Sequence, residues 1–476
     1  MQQELNLILM EIQLMILSSF GIGYEDVESI KCTPTTNGVA DSYTLLLRNT
    51  TFTCPHCGSK HIEVHGYYNR KINHKVLSDR NATLIYKVRR FKCNMCNKTF
   101  NEANPFAYNN SQISLKTIEE ILKKLRYTHA TFKMVAQEFG LSVTTIENIF
   151  DRHVQIPKQP LPAYLCIDEN YAFHNKDINS KYICVLLDFE SQNVTEILPA
   201  RTQKVLKEHF ESFSEEERSK VKVVCSDMYD AYRNVPLHYF PNAIHVVDRF
   251  HVMQDFNRRL NQVRINVMNT FATGSIEYYL LKKFHFLLFK EDEELMDILH
   301  PGKYNNRLKE TLNYYHIMQM MLNIDENLKD AYRMRESLYM FYEHPSKDLK
   351  KDLEQLILDM HHCKAPEISE FAKTLSKWFS SIINSFQSLR GRRISNGLIE
   401  NRNKLIKDLK YNANGYVNFD RFRRRILYTL NSTINYSLIA DREIVKYQRV
   451  RNKENLARHK TGKSKKYTPR NKKVIG

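Results

Sequence analysis

Four acidic residues stand where carboxylates could do chemistry. Asp168 follows the apolar run "YLCI", Asp227 follows "VVCS", Asp248 follows "IHVV", and Glu400 sits in "GLIENRNKLIK" among Asn, Arg, Lys and aliphatic residues. A carboxylate at the tip of an apolar strand carries a desolvation cost unless it pairs or binds a cation. Two such groups side by side repel, and a divalent ion relieves the repulsion. Carboxylates that hold two Mg²⁺ ions, with Mn²⁺ as a substitute, suit in-line displacement at a phosphodiester and need no covalent nucleophile. Each residue also has a plainer reading. Asp227, in "SDMYDAY", could cap the helix that follows, and Glu400 could form a surface ion pair with Lys404, worth only about 0.3–0.5 kcal/mol.

A second set is the cysteines. Cys54 and Cys57 in "CPHCGS", and Cys93 and Cys96 in "FKCNMCNKTF", are two CxxC knuckles separated by 35 residues. Thiolates at that spacing converge on one structural Zn²⁺ while the intervening strands form a ribbon. His56, His61, His65 and His74 lie nearby, but four paired thiolates leave little need for them. The ribbon's Lys, Arg, Tyr and His content leaves two roles open, a purely structural one and contact with nucleic acid. Nine cysteines used this way point to a reducing compartment. The apolar stretch from Leu5 to Phe20 is broken by Asn6, Glu11 and Gln13, which makes it an amphipathic packing helix rather than an export signal or membrane span. A cytoplasmic location follows as the expectation.

The elements that must position these groups follow from periodicity. Residues 114 to 153 read as three helices, with a turn at Gly140 and Ser142 as the cap of the last. The short turn suits a helix-turn-helix offering Thr144, Thr145, Glu147 and Asn148 to a major groove; the alternative is an ordinary helical hairpin. "IPKQPLPA" is a linker. From 163 to 248 the order is βββαβαβ, and from Arg249 to about Arg390 the pattern is helical apart from a turn at Pro301 and Gly302. The helix around Glu400 carries an apolar stripe of Leu398, Ile399, Leu405, Ile406 and Leu409, with Glu400, Asn403, Lys404, Lys407 and Tyr411 on its other side.

The net charge of +18 is localised. Residues 390 to 425 hold eleven Lys/Arg against Glu400, Asp408 and Asp420, and residues 446 to 476 hold twelve against Glu454. A polyanion is the implied partner, with Arg423 and Arg424 among the candidate contacts.

Asp on the first strand, Asp after the fourth and Glu on a late helix resemble the ribonuclease-H-like fold of DDE transposases and integrases. The knuckles, the helix-turn-helix, "IDE", "SDMYDAY", "VVDRFHV" and "GLIENRNKLIK", in that order, resemble the ISL-three family of bacterial insertion-sequence transposases from about residue 50 to 430. The resemblance implies that Asp168, Asp227 and Glu400 form a metal-binding triad and that Lys407 is a DNA-facing basic position, joined by Lys404. Asp248 and His251 of "DRFH" match a further family motif without an assigned role. It also implies a nucleoid-associated enzyme that binds the terminal inverted repeats of double-stranded DNA, cleaves 3′ ends and transfers them to a target. Synapsis of two ends implies a homodimer or larger assembly. Two rivals share parts of the pattern, a structure-specific nuclease and a catalytically silent DNA-binding regulator.

The expected architecture is multidomain α/β. A lead-in helix (1–50) precedes a zinc ribbon (51–110) and a helix-turn-helix (111–155). A ribonuclease-H-like domain (163–250 and 391–435) is interrupted by an all-helical insertion (251–390), and a basic tail (440–476) closes the chain.

Overall fold

The computed structural model describes residues 14, 17–34, 40–75, 81–174, 180–290 and 293–438. The basic tail and most of the lead-in helix expected over 5–20 lie outside the described residues. No helix among the described residues is long and apolar enough to cross a membrane. The chain divides into two compact units, one of residues 1–157, 411–415 and 420–476, the other of 158–410 and 416–419.

The first unit opens with a sheet of β1 (Val27–Pro34), β2 (Ala40–Leu47), β3 (Ile62–His74), β4 (Asn81–Cys93) and β5 (Thr99–Asn101). Its order is β1-β2-β4-β3, with β5 on β4, and only β2 and β4 run parallel. Alternation sends Ile72, Leu84, Tyr86 and Val88 to one face, where they pack with Leu17, Phe20 and Phe106. On the same strand Arg89 is buried and ion-paired with Glu28 and Glu102.

Three helices follow: α1 (Leu115–Lys124), α2 (Phe132–Phe139) and α3 (Val143–His153), capped by the side chains of Ser114, Thr131 and Ser142. Gly140 holds φ at 62°, the left-handed turn that ends α2 one residue before the approach to α3. The expected helix-turn-helix elements are therefore present, but their core is completed from far away in the chain. The helix α16 (Phe419–Leu430), named in chain order, packs from Asp420 onward in this unit rather than with the second, where the sequence had placed it. Its Tyr428 ring meets Phe150 edge-on at 5.8 Å, and its hydroxyl donates to Leu122 O at 2.9 Å.

Two arginines trade helix-end carbonyls across this contact. Arg425, fully buried, donates to the carbonyls of Leu125, Tyr127 and Ala130 beyond α1. Arg126 donates to those of Tyr428, Asn431 and Ile434 at the end of α16. Each satisfies acceptors that a helix end leaves without an intrahelical donor. Asp151 of α3, 2 % exposed, takes Arg421 at 2.7 Å and Arg424 at 3.0 Å. Arg424 is thus buried in an ion pair, not presented to DNA as the sequence suggested, and Arg423 beside it is half-buried.

The second unit is built on a mixed sheet of order β10-β9-β6-β7-β8. The strands are β6 (Tyr164–Asn170), β7 (Ile183–Asp188), β8 (Val194–Leu198), β9 (Val223–Ser226) and β10 (Ile244–Val247). β6 pairs antiparallel with β7 and parallel with β9, so the first and fourth strands are neighbours. Helices α4 (Gln203–Phe210), α5 (Glu215–Ser219) and α6 (Asp230–Tyr239) connect them. Leu165, Ile167, Leu186 and Val224 pack on Leu206, Phe210, Val235 and Phe240 across one face.

From β10 the chain enters α7 (Arg249–Met268), followed by α8 (Ile276–Lys283), α9 (Glu293–Met296), α10 (Tyr314–Leu322), α11 (Glu326–Glu343), α12 (Leu349–His361), α13 (Pro366–Lys377) and α14 (Phe379–Asn384). One apolar core joins them, including Phe256, Leu260, Leu338, Phe371, Leu375 and Trp378. This region is not purely helical. A hairpin of β11 (Lys303–Asn305) and β12 (Glu310–Leu312) follows the Pro301–Gly302 turn. Its loop is fixed by Asn305 Oδ1, which accepts from the backbone N–H groups of Arg307 at 3.0 Å and Leu308 at 3.2 Å. A two-residue ladder of Ser388–Leu389 with Arg392–Arg393 precedes α15 (Gly397–Asn412).

Removing one partner of a buried pair leaves the other charge uncompensated, at a typical cost of about 3–5 kcal/mol. Asp151→Ala is expected to destabilise the first unit by about that much in chemical denaturation, and a chain ending at residue 418 to lose the cooperative melting of its helices. A loss below about 0.5 kcal/mol, the range of a surface substitution, would show that α16 is not part of that core.

Candidate functional site

The four cysteine sulfurs lie within 4.8 Å of one another, the only such cluster of three or more metal-ligating groups among the described residues. Cys54 Sγ and Cys96 Sγ are 3.7 Å apart, and Cys57 Sγ and Cys93 Sγ 3.6 Å. A tetrahedral zinc with Zn–S bonds near 2.3 Å requires edges of about 3.8 Å. The two knuckles share one local design. Gly58 N–H donates to Cys54 O at 2.8 Å and Asn97 N–H to Cys93 O at 2.9 Å, with both Gly58 and Asn97 in the left-handed region, at φ 70° and 55°. Backbone N–H groups at Cys96 and Met95 pull the Cys93 thiol down to about 6, whereas Cys57, despite the backbone N–H at Ser59, is pushed up to about 12 by burial and the other three thiols, a crowding that a bound cation relieves. The site fits a structural Zn²⁺.

The carboxylates gather in the second unit. Asp168, on β6, is 8 % exposed, and its Oδ2 accepts from Asn403 Nδ2 at 2.7 Å. Burial, followed by the charges of Glu169, Asp227 and Glu400, pushes it up to about 7, against the pull of the backbone N–H at Glu169. Asp227, just past β9, is pushed up by burial as well, with His251 and Arg201 opposing the shift. Its Oδ1 accepts from Tyr229 N–H at 3.1 Å, so one oxygen turns the chain toward α6. It does not cap that helix, whose N-cap is Tyr229. Glu400 is exposed in the first turn of α15 and makes no ion pair with Lys404, which is also exposed, as is Lys407.

Hydrogen-bonded amides bring α15 to β6. Asn403 accepts from Asn170 Nδ2 at 2.9 Å through both its side-chain and backbone oxygens, and Asn396 Nδ2 donates to Ile167 O at 3.1 Å. Asn403 lies in the buried stripe with Ile399, Ile406 and Leu409, not on the polar side expected for it. Leu398 and Leu405 are only half-buried. The available signal was spacing, since Asn403 falls four residues after Ile399 and three before Ile406 on one helical face.

Asp248 has a structural job. Its Oδ1 caps α7 through Phe250 N–H at 2.8 Å, and its Oδ2 accepts from Asn396 N–H at 2.6 Å, so both oxygens are occupied in a 3 % exposed group. His251, three residues on, has a buried Nε2 without a hydrogen-bond partner and faces Asp227 and Glu169.

Glu169 and Arg201 escaped the sequence reading. Glu169 is ion-paired with Arg201, its Oε2 is buried without a partner, and burial and Asp227 raise its affinity for a proton. The Arg201 guanidinium stacks between the rings of Tyr182 at 4.6 Å and Tyr229 at 4.5 Å. A cleft of about 600 Å³ opens on Arg201, Asp227 and His251, with Arg258, Arg259 and Lys377 on its walls. Of these three basic groups, the arginines pair with Asp255 and Lys377 with Asp230.

A family model described as a transposase, of the ISL3 DDE type, matches residues 165–426, more than half the chain. The chain belongs to the ISL3 transposase family. The matched span covers the sheet, the insertion and α15. Separate models match residues 50–96, as the zinc-finger of transposase IS204/IS1001/IS1096/IS1165, and 102–154, as the helix-turn-helix domain of transposase family ISL3. A curated relative, the transposase for insertion sequence element IS1001 from Bordetella parapertussis, is 22% identical over 380 residues, spanning 78% of this chain and 87% of its own length. The α/β architecture with an N-terminal zinc ribbon and helix-turn-helix is therefore that of the family, and these modules suggest DNA binding.

Two outcomes test these sites. Cys93→Ser should drop the zinc content measured by elemental analysis from about one per chain toward zero, whereas retained zinc would contradict four-thiolate ligation. Asp168 binds its proton more tightly in the folded state, so its contribution falls as pH rises through about 7. In Mg²⁺-free buffer, Asp168→Asn should gain stability over the wild type by on the order of 2–3 kcal/mol between pH 5 and 7, then level off. A gain independent of pH would show that Asp168 is not strained by its neighbours.

Proposed function

We propose that this protein is a DNA transposase that cleaves the 3′ ends of its element and joins them to target DNA, with Asp168, Asp227 and Glu400 as the catalytic carboxylates. The observation that carries the reading is Asp168, a carboxylate pushed up to about 7 by burial first and then by the charges of Glu169, Asp227 and Glu400. Like charges set around a buried carboxylate are an arrangement that a divalent cation stabilises. Hard oxygen donors of this kind fit Mg²⁺ or Mn²⁺.

Two bound Mg²⁺ ions would supply activation of the attacking oxygen and stabilisation of the leaving one. The chain's own residues do the rest. Asn403 holds Oδ2 of Asp168, and Asp248 fixes Asn396 just before α15, the helix that carries Glu400. Lys404 and Lys407, exposed one and two turns beyond Glu400, face the phosphates of the bound strand. A water oxygen first displaces the 3′ oxygen at the element's end. The freed 3′ hydroxyl then attacks a target phosphodiester, so one bond is made for each one broken.

In the first unit, Thr144 and Asn148 are exposed one turn apart on α3 and reach the bases of the terminal inverted repeats. Thr145 is half-buried and hydrogen-bonded to Ser142, so it positions the helix start and contacts a phosphate. Pairing two ends requires at least two copies of the chain.

The test supplies labelled element ends, target DNA and Mg²⁺. Asp168→Ala, Asp227→Ala and Glu400→Ala should each lower joining by at least about 1,000-fold, equivalent to about 4 kcal/mol of transition-state stabilisation, while retaining end binding. Joined products that survive any of the three would remove that residue from the triad. Cleavage without joining in the wild type would favour a nuclease.

A further inference from the structure

Beside Glu400 the second unit contains a cavity of about 730 Å³, walled by α7, α11 and the start of α15. Pockets of about 300–1,000 Å³ with apolar walls and a few polar groups are the usual form of a small-ligand site. The aromatic rings of Phe250, Phe289, Tyr339 and Tyr342 line it. Phe250 is 53% exposed, its nearest ring partner being His251 at 5.6 Å, edge-on. Two buried polar atoms of lining residues have no hydrogen-bond partner, the hydroxyl of Tyr342, a residue only 2 % exposed, and Asn257 Oδ1. Buried groups of this kind are ordinarily satisfied by water or by a ligand, so both atoms can take a partner that enters the cavity.

The charges around the cavity narrow the ligand. Asp248, Glu343 and Glu400 are on its walls, and the single cation, Arg249, is bound to Glu343 at 2.7 Å. A phosphate or other anion would be repelled. A flat, neutral ring with hydrogen-bonding groups on its edge is what aromatic walls and two orphaned polar atoms accept.

We propose that this cavity receives one nucleobase, swung out of the duplex next to the phosphodiester that is cut. The inference rests on the strand-cleaving reading above and deepens it. Glu400 lines this cavity and Asp227 the cleft described above, with Gln254 shared by the two, so a strand held at the carboxylates runs past its mouth, and a base turned outward there stacks on Phe250 and Tyr339. Its edge then meets Tyr342 and Asn257. Taking a base out of the stack frees the adjacent backbone to reach the carboxylates, a movement an intact duplex resists.

The test uses the full-length, zinc-loaded protein with Mg²⁺ and labelled element ends. Phe250→Ala, an exposed position whose loss leaves the fold intact, should bind ends as the wild type does yet nick them about 10-fold more slowly. Tyr342→Phe, which removes only the hydroxyl, should show a smaller loss in the same direction. Ends carrying an abasic nucleotide at one position beside the cleavage site should restore Phe250→Ala to within about 3-fold of the wild type, because no base then needs a place to go. At that position 2-aminopurine emission should differ between wild type and Phe250→Ala complexes. Unaltered nicking by Phe250→Ala, or no abasic position that rescues it, would overturn the proposal. Nicking by the wild type on the same DNA separates the two readings: if it is absent, the strand-cleaving function fails and the base pocket falls with it.

Discussion

The amide of Asn403 on Asp168 is the contact on which the rest of the second unit turns. Asp168 resists ionisation chiefly because it is buried, and the charges of Glu169, Asp227 and Glu400 add to the effect. Asn403, Asn170 and Asn396 tie the helix to the strand through bonds of 2.7–3.1 Å to Asp168, to one another and to Ile167 O. The bond to Asp168 has a charged partner and is worth roughly 1.5–3 kcal/mol, and the neutral bonds about 0.5–1.5 kcal/mol each.

Asp248 solves a related problem of chain length. The insertion leaves the sheet at α7 and returns at α15, and closing so long an excursion costs conformational entropy. One buried carboxylate holds both ends, capping α7 with one oxygen and binding Asn396, 148 residues later, with the other. The helical core between can vary without moving Glu400 so long as this junction survives. Beyond Glu400 the chain soon reaches α16, which completes the core around α1 to α3 through Asp151, Arg421, Arg424 and Arg425. The helix that carries Glu400 is thus followed at once by the one that completes the core of the helix-turn-helix.

What could be read from the sequence was local. The two knuckles are legible because a CxxC turn fixes its own geometry, down to the left-handed residue after the second cysteine at Gly58 and Asn97. The caps at Ser114 and Ser142, and the βββαβαβ order, follow from short-range periodicity in the same way. Asn403 looked polar and outward because nothing within its own helix shows that its partners, Asp168 and Asn170, lie more than 200 residues earlier. Arg424 looked like a phosphate ligand for the same reason. A basic helix is read as DNA-facing until the buried Asp151 is seen opposite it. Glu169 and Arg201 stayed hidden because adjacent strand residues point to opposite faces, and only the fold shows that Glu169 meets an arginine held between two tyrosines.

The central claim is that the carboxylates of Asp168, Asp227 and Glu400 share bound cations. Diffraction from crystals of the DNA complex soaked in Mn²⁺, recorded at the manganese edge, tests it most directly. The account predicts two anomalous peaks about 3.5–4 Å apart ligated by these three side chains, distinct from the zinc signal at Cys54, Cys57, Cys93 and Cys96. Manganese bound elsewhere, or a Glu400 side chain turned away from a site occupied by Asp168 and Asp227 alone, would contradict it.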